Sequence, residues 1–92
     1  MTIDELYKII KDRQLKMPEG SYVASLFKAG QDRIIQKVGE ESTEVVIAAK
    51  NSDKQKVISE VADLWFHLLV MLVSLNIDPK EILAELEKRK KS

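Results

Sequence analysis

The sequence contains no cysteine, so it forms neither disulfides nor thiolate metal sites. Glycine occurs three times and proline twice, which leaves few positions that would interrupt a helix. A chain of 92 residues buries only about 60–65% of its unfolded surface, and such small domains usually need an extra source of stability. We expect one domain over residues 1–92, stabilised by a second copy or by a metal held through oxygen and nitrogen atoms.

An excess of charge of one sign is also missing, because 15 basic residues balance 15 acidic ones. Such a chain has no general attraction for nucleic acid, and a phosphate-binding role would need a local basic cluster. The N-terminus lacks the basic and apolar regions of a signal peptide. The longest apolar run, over residues 64–75, is shorter than the roughly 20 residues that span a membrane. With no cysteine, these features predict a cytoplasmic protein that binds neither nucleic acid nor membrane.

Apolar residues recur at helical spacing along most of the chain, and no segment shows the alternation of a strand. Thr2 and Asp78, each followed three residues later by glutamate, are expected to cap the first and last helices. The segment from Pro18 to Gly30 has no clear period, so we expect a loop there with a single helical turn. We predict an all-α fold, a bundle of four helices that associates as a dimer. The helices are expected over residues 2–17, 31–51, 54–75 and from 79 onward.

The third predicted helix is apolar on nearly all sides, apart from one narrow polar seam. Twelve of the fifteen residues from 61 to 75 are apolar, and the exceptions are Asp63, His67 and Ser74. These three lie within about 40° of one another around a helix, and Glu60 extends the seam one turn before Asp63. Because a helix that is apolar all round is normally buried, a carboxylate in this position points to a function.

The second predicted helix carries an acidic cluster of its own. Glu40, Glu41 and Glu44 have the three- and four-residue spacings that place side chains beside one another. A hairpin of the two helices would bring this cluster close to Glu60 and Asp63. Converging carboxylates repel in a partly dry site unless a cation binds, and oxygen ligands without thiolates favour Mg²⁺ or Mn²⁺. The alternative is that these glutamates form an ordinary solvated helix face.

The spacing of these carboxylates resembles a known signature. Glu40-Glu41-x-x-Glu44, followed after fifteen residues by Glu60-x-x-Asp63, is similar to the motif of the all-α nucleoside triphosphate pyrophosphohydrolases of the MazG type. Nearly the whole chain is similar to the phosphoribosyl-ATP pyrophosphohydrolase family of histidine biosynthesis. The segments that carry this second resemblance are residues 21–27, Gly30, 37–49 and 60–70.

The resemblance implies a Mg²⁺-dependent homodimeric enzyme that hydrolyses phosphoribosyl-ATP to phosphoribosyl-AMP and pyrophosphate. Many relatives are fused to the cyclohydrolase that acts next; because no such domain is recognisable here, we expect a separate phosphoribosyl-AMP cyclohydrolase. Two alternatives stay open: a housecleaning pyrophosphatase of canonical or damaged nucleotides, and an inactive helical dimerisation module. The Ser-Tyr-x-x-x-Leu-Phe segment at residues 21–27 favours the hydrolysis of phosphoribosyl-ATP over the housecleaning function. The intact carboxylate set argues against the inactive module.

The pattern and the resemblance together predict roles for individual residues. We expect Glu41, Glu44, Glu60 and Asp63 to bind Mg²⁺ or Mn²⁺, and Glu40 either to orient these ligands or to act as base for the attacking water. All five are predicted catalytic residues. The residues expected to bind the substrate are Ser21, Tyr22, Lys28, Lys37, His67 and Arg89.

Several of these substrate-binding assignments have a structural alternative. Lys37 also suits an ion pair with Glu41 four residues later, His67 suits a buried histidine satisfied in the core, and Tyr22 suits an anchor for its segment. The basic tail around Arg89 suits a solvated helix end. Ser25 stands where the family more often has a basic residue, which argues against a phosphate contact at that position.

Overall fold

A computed structural model gives the chain an all-α fold over residues 1–91, the part that the structure describes, and no strand occurs within it. The predicted fold class is therefore confirmed. The predicted number of helices is wrong, because five form instead of four. Ser92, the last residue of the predicted domain, lies outside the described residues. The helices are α1 (Ile3–Lys16), α2 (Tyr22–Ala29), α3 (Gln31–Lys50), α4 (Lys54–Ser74) and α5 (Pro79–Arg89).

The helix that the sequence pattern missed is α2, which replaces the predicted loop. The Ser21 side chain caps it by accepting a hydrogen bond from the backbone N–H of Ala24 at 3.2 Å. Gly30 separates α2 from α3 with φ 106, a conformation that residues with a side chain rarely adopt. The buried residues of α2 are Ala24 and Leu26. A helix of two turns is too short for a helical period to show in the sequence. The burial of α2 against the other helices therefore determines that this segment is helical.

The two predicted capping residues, Thr2 and Asp78, act as expected, and Asp53 caps a third helix. The Thr2 hydroxyl accepts from the backbone N–H of Glu5 at 3.0 Å and starts α1. At the start of α5, Asp78 and Glu81 form a capping box in which the Asp78 backbone N–H donates to the Glu81 carboxylate at 2.9 Å. Asp53 caps α4 through the backbone N–H of Lys56 at 3.2 Å. These local bonds fix where α1, α4 and α5 begin.

The largest interface in the molecule lies between α3 and α4, which form the predicted hairpin about residues 51–53. Helices α1 and α2 cover one side of this hairpin, and Ile10, Ile34 and Val70 are fully buried where the helices meet. The core is completed by Tyr7, Leu26, Leu69 and Val73. The hairpin therefore places the acidic face of α3 beside the polar seam of α4.

Helix α4 is long and apolar enough, by length and composition alone, to cross a membrane, and it is the one such helix in the described chain. The length of the longest apolar run, over residues 64–75, had predicted that no segment is long enough to span a membrane. A core helix that is mostly buried in a soluble protein can have the same length and composition, whereas 28% of the apolar stretch of α4 is buried within this single chain. Helix α4 packs against α3 and α1. Its buried residues include Glu60 and His67, which suit a site within a protein better than lipid.

Tyr7 joins the first helix to the turn before the last one. Its ring is buried, and its hydroxyl donates to the backbone carbonyl of Ile77 at 2.7 Å. Burial raises the pKa of the Tyr7 hydroxyl, and the nearby carboxylates of Asp78 and Glu81 raise that pKa further. The phenol is therefore held as a neutral donor.

We expect Tyr7→Phe to lower the free energy of unfolding by about 0.5–1.5 kcal/mol, because the ring still packs but the carbonyl of Ile77 loses its side-chain donor. Urea denaturation followed by circular dichroism measures this change. A variant as stable as the unmodified protein would show that water replaces the tyrosine at no cost.

Candidate active site

Three carboxylates from the two helices of the hairpin meet at its centre. Oxygen atoms of Glu41 on α3 and of Glu60 and Asp63 on α4 all lie within 4.8 Å of one another. Glu60 is almost fully buried, with 8% of its surface exposed, whereas Glu41 is half-buried and Asp63 is exposed. The cluster is therefore shielded from solvent at Glu60 and open at Asp63, where a ligand has access.

Two lysines neutralise part of this acidic cluster. The Lys37 ammonium lies 3.1 Å from Glu41, and the Lys56 ammonium lies 3.3 Å from Glu60. Each lysine precedes its glutamate by four residues on the same helix, so a single turn brings the charges together. Asp63 has no comparable ion pair among those found in the described residues. The carboxylates therefore keep a net negative charge that an added cation would offset.

The Lys37 side chain is a shared partner of two glutamates. Its ammonium lies 3.1 Å from Glu41 and 3.3 Å from Glu40. The hydrogen bond to Glu41 is the main cause that raises the pKa of Lys37; burial opposes it, and Glu40 and Tyr22 reinforce it. Lys37 is therefore a persistent positive charge at the edge of the carboxylate cluster.

The other two glutamates of the α3 motif lie outside the central cluster. Glu40 is exposed, and its two oxygens contact Arg33 at 3.4 Å and Lys37 at 3.3 Å. Glu44 is also exposed and is not among the three clustered carboxylates. The predicted roles of Glu40 as orienting group or base, and of Glu44 as ligand, stay predictions.

A second polar group adjoins the carboxylates and consists of Tyr22 on α2 and His67 on α4. The Tyr22 hydroxyl lies 3.0 Å from Nε2 of His67, and Nδ1 of the same ring lies 2.7 Å from the backbone carbonyl oxygen of Asp63. Phe66 packs against both rings, with centroid distances of 6.1 Å to Tyr22 and 5.0 Å to His67. Helix α2, which the sequence pattern did not predict, is thereby connected to the turn of α4 that carries Asp63.

The remaining predicted substrate-binding residues are spread over two other places. Ser21 and Lys28 line a groove of about 440 Å³ between α1 and α2. Arg89 lies near the end of α5, where its Nε donates to Glu85 at 2.9 Å. The structure therefore brings Lys37, Tyr22 and His67 to the carboxylate site, while Ser21, Lys28 and Arg89 occupy other surfaces of this chain.

Arg33 and Lys56 contact site carboxylates and were not among the predicted site residues. Both were detectable in principle, because Lys56 precedes Glu60 by four residues and Arg33 precedes Glu40 by seven. These are helical spacings that put side chains on one face. Such pairs are common on any charged helix, so the spacing alone does not show which of them lie at the site. The folded structure shows it, because it brings the clustered carboxylates together.

The donor set suits a hard divalent cation. All three clustered ligand atoms are carboxylate oxygens, the ligand type that Mg²⁺ and Mn²⁺ prefer. One ligand is buried and one is exposed, which leaves room for water or substrate oxygens on the open side. The fold and the site thus define an all-α protein with an acidic cluster between two helices whose oxygen atoms suit a divalent cation, as expected of a hydrolase that acts on phosphates.

Comparison with known proteins identifies the family. The sequence profile of the phosphoribosyl-ATP pyrophosphohydrolase family matches residues 3–90. The chain belongs to this family and is an enzyme of the hydrolase class. The resemblance to this family, which residues 21–27, Gly30, 37–49 and 60–70 carry, is thereby confirmed.

Individual relatives agree with the profile. The chain is 50% identical over 88 residues to the phosphoribosyl-ATP pyrophosphatase of Methylibium petroleiphilum, covering 96% of this chain and 73% of that protein. It is 51% identical over 88 residues to the enzyme of the same name from Clostridium botulinum, covering 96% and 80%. It is also 51% identical over 89 residues to the histidine biosynthesis bifunctional protein HisIE of Caldanaerobacter subterraneus, covering 97% and 43%.

Proposed function

We propose that this protein hydrolyses phosphoribosyl-ATP to phosphoribosyl-AMP and pyrophosphate in histidine biosynthesis, with Mg²⁺ or Mn²⁺ as cofactor. The observation that carries the proposal is the convergence of Glu41, Glu60 and Asp63 within 4.8 Å, in a chain that belongs to the phosphoribosyl-ATP pyrophosphohydrolase family. A cytoplasmic location fits a cysteine-free enzyme of a charged nucleotide. A cyclohydrolase would act on the product next.

The proposed cation ligands are the three clustered carboxylates, with Glu44 as a fourth from the next turn of α3. A bound divalent cation would supply positive charge against the phosphate oxygens and orient the leaving group. Without such charge, a triphosphate approaching three carboxylates would be repelled. The two lysines beside the cluster reduce this repulsion but do not remove it.

The side chains of the chain itself have complementary tasks in this proposal. Lys37 keeps its positive charge beside the cluster and would contact a phosphate oxygen if Glu41 bound the cation. Glu40, held between Arg33 and Lys37, keeps that lysine at the edge of the site. Fixed charges aimed at developing negative charge are the usual source of catalysis in phosphoryl transfer.

The proposed active form is a homodimer that covers an apolar groove. The groove has a volume of about 410 Å³, lies between α4 and α5 near the start of α1, and includes the exposed side chains of Trp65, Ile82 and Leu83. A second copy of the chain presents the same apolar surface, as a two-fold interface requires. Its association would supply the stability that a chain of this size needs.

We expect the purified protein to release pyrophosphate from phosphoribosyl-ATP only when a divalent cation is present. In ¹⁸O-labelled water the label should enter phosphoribosyl-AMP, because water attacks the α phosphorus and the α–β bridging oxygen leaves with pyrophosphate. Mass spectrometry of both products reads the position of the label. Label in pyrophosphate, or release of single phosphate, would exclude this cleavage.

A panel of nucleotides separates this function from the alternatives. Under the same conditions, ATP, dUTP and an oxidised purine triphosphate should be hydrolysed much more slowly than phosphoribosyl-ATP. A preference for any of these would indicate a housecleaning pyrophosphatase, and no hydrolysis of any nucleotide together with no cation binding would indicate an inactive dimerisation module.

A further inference from the structure

The hydrogen-bonding direction at His67 is set by its backbone partner. Nδ1 lies 2.7 Å from the carbonyl oxygen of Asp63, and because a carbonyl oxygen only accepts, Nδ1 carries the proton. In a neutral imidazole the other nitrogen, Nε2, is then an acceptor. His67 is buried, with 5% of its surface exposed, so its ring is held in this orientation by the packing around it.

This direction determines whether the Tyr22 hydroxyl can donate or accept a hydrogen bond with a ligand. The hydroxyl lies 3.0 Å from Nε2 of His67, and it donates its one proton to that nitrogen. Its oxygen retains only acceptor capacity toward anything else. Tyr22 is 52% exposed, so a ligand has access to this oxygen.

The Tyr22 hydroxyl is connected to the carboxylate cluster through His67, whose Nδ1 lies 2.7 Å from the backbone carbonyl oxygen of Asp63. Lys37 contacts Glu41, and His67 follows Asp63 by one turn of α4. A substrate with its phosphates at the carboxylates would therefore bring its adjoining nucleoside part toward Tyr22.

We propose that Tyr22 binds a hydrogen-bond donor on the nucleoside part of the substrate, a sugar hydroxyl or the exocyclic nitrogen of the base, and that His67 is the positioning residue that makes it an acceptor. A phosphate oxygen has no proton to donate at neutral pH, so Tyr22 selects the nucleoside and not the phosphates. This inference rests on the proposed function, since it assumes a nucleotide at the carboxylates.

The tautomer is tested without any substrate. His67 is the only histidine in the sequence, so ¹⁵N-labelled histidine gives one pair of ring nitrogen signals. We expect the proton on Nδ1 and a cross-peak pattern of the neutral ring. A proton on Nε2, with or without one on Nδ1, would overturn the inference, because His67 would then donate to Tyr22.

The kinetic test uses Tyr22→Phe, which keeps the ring packing on Phe66 and removes only the hydroxyl. We expect KM for phosphoribosyl-ATP to rise about fivefold with little change in kcat, the result of losing one ordinary hydrogen bond. Tyr7→Phe is the matched control, since it removes a structural hydroxyl outside the site and should leave KM unchanged. Wild-type protein that fails to release pyrophosphate would refute the proposed function itself, whereas active wild-type protein with an unaffected Tyr22→Phe would refute this inference alone.

Variants of His67 distinguish positioning from direct contact. His67→Leu should raise KM as much as Tyr22→Phe does, and the double variant should be no worse than either single one. His67→Gln restores an acceptor oxygen and should recover most of the affinity, which a merely structural role would not predict. Additive effects in the double variant would show that His67 touches the substrate itself.

Substrate analogues identify the donor. Forms of phosphoribosyl-ATP that lack one ribose hydroxyl, or that carry hydrogen in place of the exocyclic nitrogen, are compared on the wild-type protein and on Tyr22→Phe. The analogue without the contacted donor should have the same KM for both proteins. If the KM values of the two proteins differ by the same factor for every analogue, Tyr22 does not bind a donor of the nucleoside and the inference is wrong.

Discussion

Asp63→Asn is expected to lower kcat/KM by at least about 100-fold while the protein remains folded. Even residues that only orient metal ligands cost about 10- to 100-fold when changed, and a lost electrostatic contact to the transition state costs about 10²–10³-fold. Asp63 is exposed and lies in a cluster of like charges, so removing its charge relieves repulsion instead of breaking the core.

The cation dependence of stability gives this prediction a readout apart from activity. Thermal unfolding of the wild-type protein should shift upward as MgCl₂ is added, because a ligand that binds only the folded state stabilises it. Asp63→Asn should lose most of that shift. Asp12→Asn, which removes a half-buried carboxylate paired with Arg13 and Lys16 on α1, is the matched control away from the site and should keep the wild-type shift. Wild-type kcat/KM in Asp63→Asn across a Mg²⁺ titration would refute the assignment of this ligand.

Leu83→Glu is expected to convert the protein from a dimer to a monomer. Leu83 lines the apolar groove between α4 and α5 and is 62% exposed in the single chain. In the proposed dimer a glutamate there would be taken out of water without a partner, which is strongly unfavourable. Sedimentation equilibrium should give twice the 10.5 kDa chain mass for wild type and that mass once for the variant.

The same substitution at another exposed leucine controls for a general loss of solubility or stability. Leu15 on α1 is 83% exposed and does not line this groove, so Leu15→Glu should keep the dimer mass. A wild-type protein that is monomeric at micromolar concentration would refute the proposed assembly. A dimeric Leu83→Glu would place the interface on another surface.

Local chemistry made several elements predictable from the sequence. The capping box at Asp78 and Glu81, the Thr2 cap and the turn between α3 and α4 depend on residues within about one helical turn of one another. The polar seam on α4 was visible because a carboxylate interrupts an apolar run. Periodicity failed at α2, since eight residues are too few to display it and the Pro18–Gly30 segment resembles a loop in composition.

The sequence by itself determined that the protein is all-α and that acidic side chains lie on one face of each of two consecutive helices, because helical spacing alone aligns side chains on a face. Only the tertiary structure decided which carboxylates meet. Glu41 joins Glu60 and Asp63, while Glu40 lies beside Arg33 and Lys37. The rotation of α3 against α4 sets that choice, and it depends on the packing of the whole core. The bond between Tyr22 and His67, 45 residues apart, likewise follows from where α2 docks and has no local signal.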